Sequence, residues 1–299
     1  MGKIVKEDIA RIFELLEKTV GSDACTSITR MGGLTNHTYH TVLEDGREYV
    51  VRIPGEGTEE MIVRSDEMIS TTLACKLDID AQMLYFGEDG SKVTEYIPNA
   101  KTMSAEAFHD EKMVAEAAAL FRRAHDCGED TGVPFEVFDM AANYEKIIFG
   151  MNVPMPADYN EQKEKVMRIK EEIDREIHPG KVPCHNDPLC ENWVYGGSGR
   201  LYLIDWEYAG MNDGMWDVSD ISIEAGFDEA WDRLLLTDYL GHAPSVTENK
   251  HFLANKIYVD YLWTLWAKTR VPFDGQPMED WAAERYERML GNIAAFEEL

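Results

Sequence analysis

The chain begins with short apolar runs separated by turn signals, and its pattern changes to helical spacing after about residue 98. Thr38–Leu43 and Glu48–Ile53 flank a D-G turn and predict a β-hairpin. Leu84–Phe86 and Lys92–Ile97 flank a second D-G turn, and helical spacing over Glu59–Leu77 predicts a helix between the two hairpins. The first hundred residues are therefore expected to form a small β-rich unit.

In the rest of the chain, apolar residues recur at the spacing that is typical of long helices. Ala107–Asp126 carries one apolar stripe, and Asn160–Ile177 is so highly charged that a solvent-facing helix is expected. Two short strands near Trp193–Tyr195 and Leu201–Ile204 interrupt the helices as a hairpin. We predict an α+β, two-lobed fold with a β-rich N-terminal lobe over residues 1–98 and a larger, mainly helical C-terminal lobe over residues 99–299.

Composition narrows the possible functions. A net charge of -27 argues against nucleic acid as a partner and favours a cationic one through long-range attraction. No run approaches the roughly 20 apolar residues that span a bilayer, and the N-terminus lacks the apolar run of a signal peptide. Five cysteines without a C-x-x-C pair indicate free thiols. We therefore expect a cytoplasmic protein without stable membrane insertion, and the oligomeric state stays open.

The most informative segment is Val182–Val194, which contains H-x-D-x-x-x-x-N as His185, Asp187 and Asn192. Thirteen residues after Asn192, Asp205 ends an apolar strand. Phosphoryl transfer mainly needs an acceptor oxygen in line with the phosphate and a metal ion that neutralises developing charge. Asp187 is predicted to accept the hydroxyl proton. The oxygens of Asn192 and Asp205 suit Mg²⁺.

The segments His185–Asn192 and Leu201–Asp213 resemble the choline/ethanolamine kinase family, especially its bacterial choline-kinase branch. The resemblance extends from about residue 28 to about residue 268, and the family shares the protein-kinase-like fold with aminoglycoside phosphotransferases. It implies ATP as co-substrate, Mg²⁺ as cofactor and Asp187 as catalytic base. It also implies that Asn192 and Asp205 hold the metal.

The same resemblance assigns structural and nucleotide-binding roles. Asp217 matches a buried acid that steadies the catalytic loop, and His185 is expected to be structural near the site. Arg52 stands on the third strand, where a protein kinase carries lysine, and its guanidinium can fork onto phosphate oxygens. Its predicted partner is Glu67, with Asp66 as the alternative. The candidate ATP-binding residues are Gly33, Asn36, Arg52, Glu67, Glu95 and Ile97.

Aromatic residues suggest the acceptor. A quaternary ammonium has no N–H to donate, so a binding site must recognise it through aromatic faces and negative charge. Trp263 and Trp266 lie at i and i+3 of a late helix and match the family's W-x-x-W, which contributes to the choline cage. Tyr208 matches another aromatic position of that cage, and Glu224 matches an acidic residue that faces the cation.

Several functions remain open at this point. The leading one is phosphorylation of choline by ATP. The alternatives are another cationic acceptor, such as ethanolamine or an aminoglycoside, and an inactive kinase-fold protein that binds a ligand. An inactive protein usually lacks the base or a metal ligand, and this chain retains all three residues. A protein kinase is disfavoured because neither a G-x-G-x-x-G loop nor an A-P-E segment is present.

Overall fold

The computed structural model describes residues 4–31, 36–55 and 62–299, and its N-terminal part is organised around an antiparallel sheet. The elements are α1 (Lys6–Val20), β1 (Cys25–Arg30), β2 (Asn36–Leu43), β3 (Glu48–Pro54), α2 (Arg64–Lys76), β4 (Met83–Phe86), β5 (Lys92–Glu95) and β6 (Lys101–Thr102). Five of these strands form one sheet in the order β1-β2-β3-β5-β4. Both predicted hairpins are confirmed.

Helices dominate the later part of the chain. The elements are α3 (Glu111–His125), α4 (Val137–Gly150), α5 (Tyr159–Glu176), β7 (Lys181–Cys184), β8 (Trp193–Tyr195), β9 (Leu201–Leu203), β10 (Gly210–Asp213), α6 (Met215–Glu224), α7 (Glu229–Leu240), α8 (Val246–Asp274) and α9 (Gln276–Glu297). The predicted hairpin is β8–β9, and it also pairs with β6.

The chain divides into two units, Met1–Met103 with Glu191–Gly210, and Ser104–Cys190 with Met211–Leu299. The division predicted at residue 98 assigns everything after it to the second lobe. Residues 191–210 instead belong to the first unit, because backbone hydrogen bonds join their hairpin to β6. Among the helices that the structure describes, none has the length and apolarity needed to cross a bilayer.

Three helix predictions differ from the structure. α3 begins at Glu111 rather than residue 107. α2 begins at Arg64 rather than residue 59, and residues 59–61 lie outside the described part of the chain. α5 is charged as expected, but it is not wholly solvent-facing, because Val166, Ile169 and Ile173 are buried. Three apolar residues at helical spacing are enough to anchor one stripe of a charged helix.

The core of the first unit fixes the orientation of its sheet. Ile12, Leu15 and Leu16 of α1 are buried in one cluster with Tyr39 and Val51 from the sheet. In each strand, the residues that alternate with Tyr39 or Val51 point to the opposite face of the sheet.

Cross-strand pairing then aligns two cations. Arg52 of β3 lies directly opposite Lys92 of β5. Residues directly opposite each other share a face of the sheet, so both positive side chains lie on the same side.

The second unit is centred on α8. Its N-terminus is capped by a capping box, in which the side chains of Ser245 and Glu248 each accept a hydrogen bond from the other residue's backbone N–H. The middle of the helix is buried on all sides, as a helix at the centre of a bundle must be. α6 packs against α8 and carries Asp217 in its first turn.

Candidate active site

A cavity of about 250 Å³ opens within the first unit. Its apolar lining residues include Met31, Val50, Ala81, Ile97, Val194 and Ile204, and its polar ones include Asn36, Arg52, Asp80, Lys92, Glu95 and Asp205. Apolar walls beside two cations suit a flat base joined to phosphates. The structure thus brings five of the predicted residues to one cavity: Asn36, Arg52, Glu95, Ile97 and Asp205. Gly33 lies outside the described residues.

Arg52 is held in place by a buried ion pair. Its Nη1 lies 2.5 Å from Oε1 of Glu67, and its Nη2 donates to the carbonyl oxygen of Gly90 at 2.9 Å. Glu67, which is 1% exposed, is therefore the partner, whereas Asp66 is partly exposed. Nη1 of Arg52 also lies 3.6 Å from Oδ1 of Asp205. The guanidinium thus stands between a structural carboxylate and the predicted metal ligand.

Glu67 gathers two further cations. Nη1 of Arg64 lies 2.7 Å from Oε2 of Glu67, and Nζ of Lys92 lies 3.7 Å from Oε1. Burial alone would raise the pKa of Glu67, but the charge of Arg52 and the other cations outweighs it and leaves the pKa below its ordinary value. Glu67 is consequently ionised at neutral pH and fixes three positive side chains.

The carboxylates at the end of β9 fit a divalent cation. Burial first, and then the charge of Asp205, raises the pKa of Glu207 above its ordinary value. A cation between the two would relieve this repulsion, and carboxylate oxygens are hard ligands suited to Mg²⁺. The N–H of Ile204 donates to the carbonyl oxygen of Asn192 at 2.9 Å, which brings Asn192 next to the residue before Asp205. The donor set therefore fits Mg²⁺.

Backbone conformation supports a functional role for Asp205. Its φ is 69°, in the left-handed region that residues with a side chain rarely adopt. The surrounding structure must hold such a residue there, and strained residues of this kind cluster at functional sites. Asp80, buried in the same cavity, has its pKa raised to about 6, chiefly by burial.

The loop that carries Asp187 lies in the second unit and is anchored by Asp217. Oδ2 of Asp217 accepts from the N–H of His185 at 2.7 Å, and Oδ1 accepts from the N–H of Asn186 at 2.8 Å. The N–H of Asp187 is 3.3 Å from Nδ1 of His185. Two charge-assisted hydrogen bonds to consecutive backbone groups fix the loop just before Asp187. Asp187 itself is partly exposed.

A second layer of contacts holds Asp217. Nε2 of His125 lies 3.2 Å from Oδ2 of Asp217, and Nδ1 of His125 lies 2.9 Å from the hydroxyl of Tyr239. A Cβ atom at Gly214 would lie 2.9 Å from Nδ1 of His125 and 2.9 Å from the hydroxyl oxygen of Tyr239, so the close packing favours glycine there. This chain of contacts runs from the partly exposed Tyr239 through the buried His125 to the buried Asp217, and it holds the carboxylate that anchors the loop.

The aromatic residues proposed for the acceptor also lie in the second unit, apart from Tyr208, which is partly buried in the first. The rings of Trp263 and Trp266 meet edge to face at 6.1 Å, and Trp266 meets Trp281 at 6.0 Å. Trp263 is only 4% exposed and belongs to the core, whereas Trp266 is partly exposed. The two tryptophans thus share a face as predicted, but only Trp266 offers surface.

Glu224, which was predicted to face the cation of the acceptor, has a partner within the protein. Its Oε1 accepts a hydrogen bond from Nη2 of Arg285, a buried side chain of α9. The guanidinium carbon of Arg285 lies 4.1 Å from the ring centre of Trp281. The protein's own cation therefore neutralises this carboxylate.

Comparison with known proteins decides the family. The model of the family described as Choline/ethanolamine kinase matches residues 28–267. The chain belongs to the choline/ethanolamine kinase family. Protein LicA of Haemophilus influenzae is 27% identical over 263 residues, covering 85% of this chain and 76% of that protein.

Solved structures agree. A choline/ethanolamine kinase family protein from Mesorhizobium loti has a TM-score of 0.82 at 29% identity, covering 98% of this chain and 99% of that one. Choline kinase LicA of Streptococcus pneumoniae has a TM-score of 0.80 at 26% identity, covering 97% and 100%. The predicted protein-kinase-like fold is confirmed. The chain is a phosphotransferase that acts on an alcohol.

Several residues of this kinase escaped the sequence analysis. Glu207 follows Asp205 by two residues, and a second carboxylate so close in sequence to a predicted metal ligand could have identified it. Lys92 joins Arg52 only through the pairing of β3 with β5, which are not consecutive strands. Arg285 lies 61 residues from Glu224, and nothing in the local sequence of either points to the other.

Proposed function

We propose that this protein transfers the γ-phosphoryl group of ATP directly to the hydroxyl of choline, with Mg²⁺ as cofactor. The observation that carries the proposal is the fixed loop of Asp187. Asp217 binds the two N–H groups that precede Asp187, so the carboxylate of Asp187 is presented on a rigid loop. Asp187 orients the acceptor hydroxyl and accepts its proton as the oxygen attacks phosphorus.

The first unit supports the nucleotide part of the proposal. ATP would bind in the cavity, with the base against the hinge of Glu95 and Ile97 and the phosphates near Arg52. Asp205 and Asn192, with Glu207 beside them, would hold Mg²⁺. The bound ion supplies charge neutralisation on the phosphates. Arg52 stays protonated at any working pH, because the charge of Glu67 outweighs the effect of burial on its pKa.

Two observations favour choline among cationic alcohols. The S. pneumoniae relative is a choline kinase, and this chain offers the partly exposed indole of Trp266. Indole faces attract a quaternary ammonium without requiring an N–H donor. An aminoglycoside carries several ammonium groups and needs several separate carboxylates instead of an aromatic face.

The test is a comparison of acceptors. We expect kcat/KM for choline to exceed that for ethanolamine and for kanamycin by about 10-fold or more, because each methylated ammonium–indole contact contributes about 1–2 kcal/mol. ADP release at saturating Mg-ATP measures this, with EDTA as the control that removes the metal. Equal turnover of all three acceptors would refute choline as the preferred substrate. Turnover that persists in EDTA would refute the requirement for Mg²⁺.

A tryptophan variant tests the aromatic contact. We expect Trp266→Ala to raise the Kd for choline about 5- to 30-fold in isothermal titration, since it removes one cation–π contact of about 1–2 kcal/mol. The Kd for ATP should stay within about twofold, because the nucleotide cavity is lined by residues of the first unit. Trp263→Ala is the informative comparison. Trp263 is buried, so that substitution should lower the melting temperature strongly.

A further inference from the structure

A second cavity, of about 180 Å³, is lined by residues of the second unit. Among the described residues, none lines both this cavity and the nucleotide cavity, and those proposed for the acceptor are not in its wall. Two edge-to-face aromatic pairs contribute to the lining: Phe138 with Tyr258 at 5.3 Å between ring centres, and Phe135 with Trp216 at 5.5 Å. An apolar cavity of about 150 Å³ holds one benzene molecule. The second cavity therefore has room for one aromatic ring with a small substituent.

The charged side chains of this cavity are already paired. Each has an oppositely charged or hydrogen-bonding partner within the protein: Lys170 with Asp174, Lys181 with Glu136, and Asp213 with His251 and Asn255. A charged ligand would lose its hydration on entry and would meet no unpaired countercharge within the described lining. The pairing therefore favours an uncharged occupant.

A buried hydroxyl in the lining points to a ligand. The hydroxyl of Tyr258 has no hydrogen-bond partner among the described residues, and the residue is only 7% exposed. Burial first, and then the charges of Asp174 and Asp213, raise the pKa of Tyr258, so the hydroxyl keeps its proton and can donate it to a hydrogen bond. A buried donor without a partner costs free energy, and an accepting oxygen on a ligand would recover that cost.

The wall of the second cavity also holds the loop of Asp187. Trp216 and Asn212 both line the cavity. Nε1 of Trp216 donates to the carbonyl oxygen of Asn186 at 3.0 Å, and Nδ2 of Asn212 donates to Oδ1 of Asn186 at 2.9 Å. Asn186 directly precedes Asp187 and has a φ of 67°, a left-handed conformation that persists only where the surroundings hold it. An occupant that packs against Trp216 and Asn212 would therefore act on the position of Asp187.

We propose that this cavity is a second binding site, for a small uncharged aromatic ring that carries an accepting oxygen, and that its occupancy steadies the loop of Asp187. The aromatic pairs receive the ring, and the hydroxyl of Tyr258 donates to the oxygen. The bound ring supports Trp216 and Asn212, which keep Asn186 in its left-handed conformation, and so raises the rate of phosphoryl transfer. Binding at this site is independent of the proposed function, whereas the effect on the rate rests on Asp187 as the base.

The binding test uses three flat probes of nearly the same shape and different charge. Benzamide is uncharged, benzoate is an anion and benzamidine is a cation at neutral pH. Saturating Mg-ADP and choline occupy the nucleotide cavity and the acceptor site, and isothermal titration gives the Kd of each probe. We expect benzamide to bind at least about tenfold more tightly than either ion, because burial of a charge without a countercharge is costly.

Tyr258→Phe removes the hydroxyl alone. The Kd for benzamide should rise about 3- to 10-fold, the value of one hydrogen bond, while the melting temperature should stay constant or rise, because the hydroxyl has no protein partner to lose. Tyr85→Phe makes the same change at a partly exposed residue of the first unit and should leave the Kd unaltered. Equal Kd values for the three probes, or for wild type and Tyr258→Phe, would overturn the site. No benzamide binding would mean that the cavity holds water alone, which overturns it too.

The effect on the loop is measured as a rate. Saturating benzamide should raise the single-turnover rate with choline and Mg-ATP about 2- to 5-fold, near the lower end of allosteric couplings, and the KM for ATP should stay within about twofold. At a benzamide concentration that half saturates wild type, Tyr258→Phe should show a smaller increase. An unchanged rate at saturating benzamide would refute the link to Asp187. A wild type that does not phosphorylate choline contradicts the proposed function, and the benzamide titrations still decide whether the site exists.

Discussion

Asp187→Asn should lower kcat for choline phosphorylation by about 10²- to 10⁴-fold, the usual contribution of a general base. The amide has nearly the same shape but cannot accept the hydroxyl proton. The loop should keep its conformation, since Asp217 binds backbone N–H groups rather than the side chain of Asp187. Single-turnover measurement with saturating choline and Mg-ATP gives the rate of the chemical step.

The Kd for ATP provides the internal control for this variant. The proposed nucleotide residues belong to the first unit, so ATP binding in Asp187→Asn should stay within about threefold of wild type. Asp139→Asn supplies the matched control, because it makes the same substitution at an exposed residue of the same unit. If the single-turnover rate of Asp187→Asn stays within about tenfold of wild type, Asp187 is not the general base.

Glu67→Gln should reduce the free energy of unfolding by about 3–5 kcal/mol, the cost of leaving a buried ion-pair partner uncompensated. The substitution removes the charge that holds Arg52, Arg64 and Lys92 together. The KM for ATP should rise as well, because Arg52 loses its fixed position in the nucleotide cavity. Urea unfolding, followed by tryptophan fluorescence, measures the stability change.

The matched control is the neighbouring acid. Asp66 is partly exposed in the first turn of α2, so Asp66→Asn should cost less than about 1 kcal/mol, mainly through the helix dipole. Equal losses for the two variants would mean that the buried ion pair contributes nothing beyond a surface charge.

The loss in Glu67→Gln should also depend on pH. The pKa of Glu67 is lower in the folded protein than its ordinary value of 4.5. The stabilisation from its charge is therefore fully present above pH 4.5 and disappears as the pH falls through the folded-state pKa. The difference between wild type and Glu67→Gln should accordingly shrink on acidification. A difference that is constant down to low pH would exclude the charge of Glu67 as its source.

Local patterns in the sequence predicted a substantial part of this protein. The D-G turns and the alternation around them predicted both hairpins, because a hairpin depends on adjacent residues. The spacing of His185, Asp187, Asn192 and Asp205 suggested the chemistry and the family, and the family is shown by the comparisons. Arg52 and Glu67 were also expected to pair, since a strand and the following helix bring them together.

The tertiary structure decided what depends on residues far apart in sequence. Arg285 reaches Glu224 only because α9 lies near α6, and this contact makes Glu224 one half of a partly buried ion pair. Packing likewise buries Trp263 and leaves Trp266 partly exposed, although the two residues look equivalent in the sequence. A short sequence pattern specifies a residue's type and local direction. Its charge state and accessibility are set by neighbours that packing brings from elsewhere in the chain.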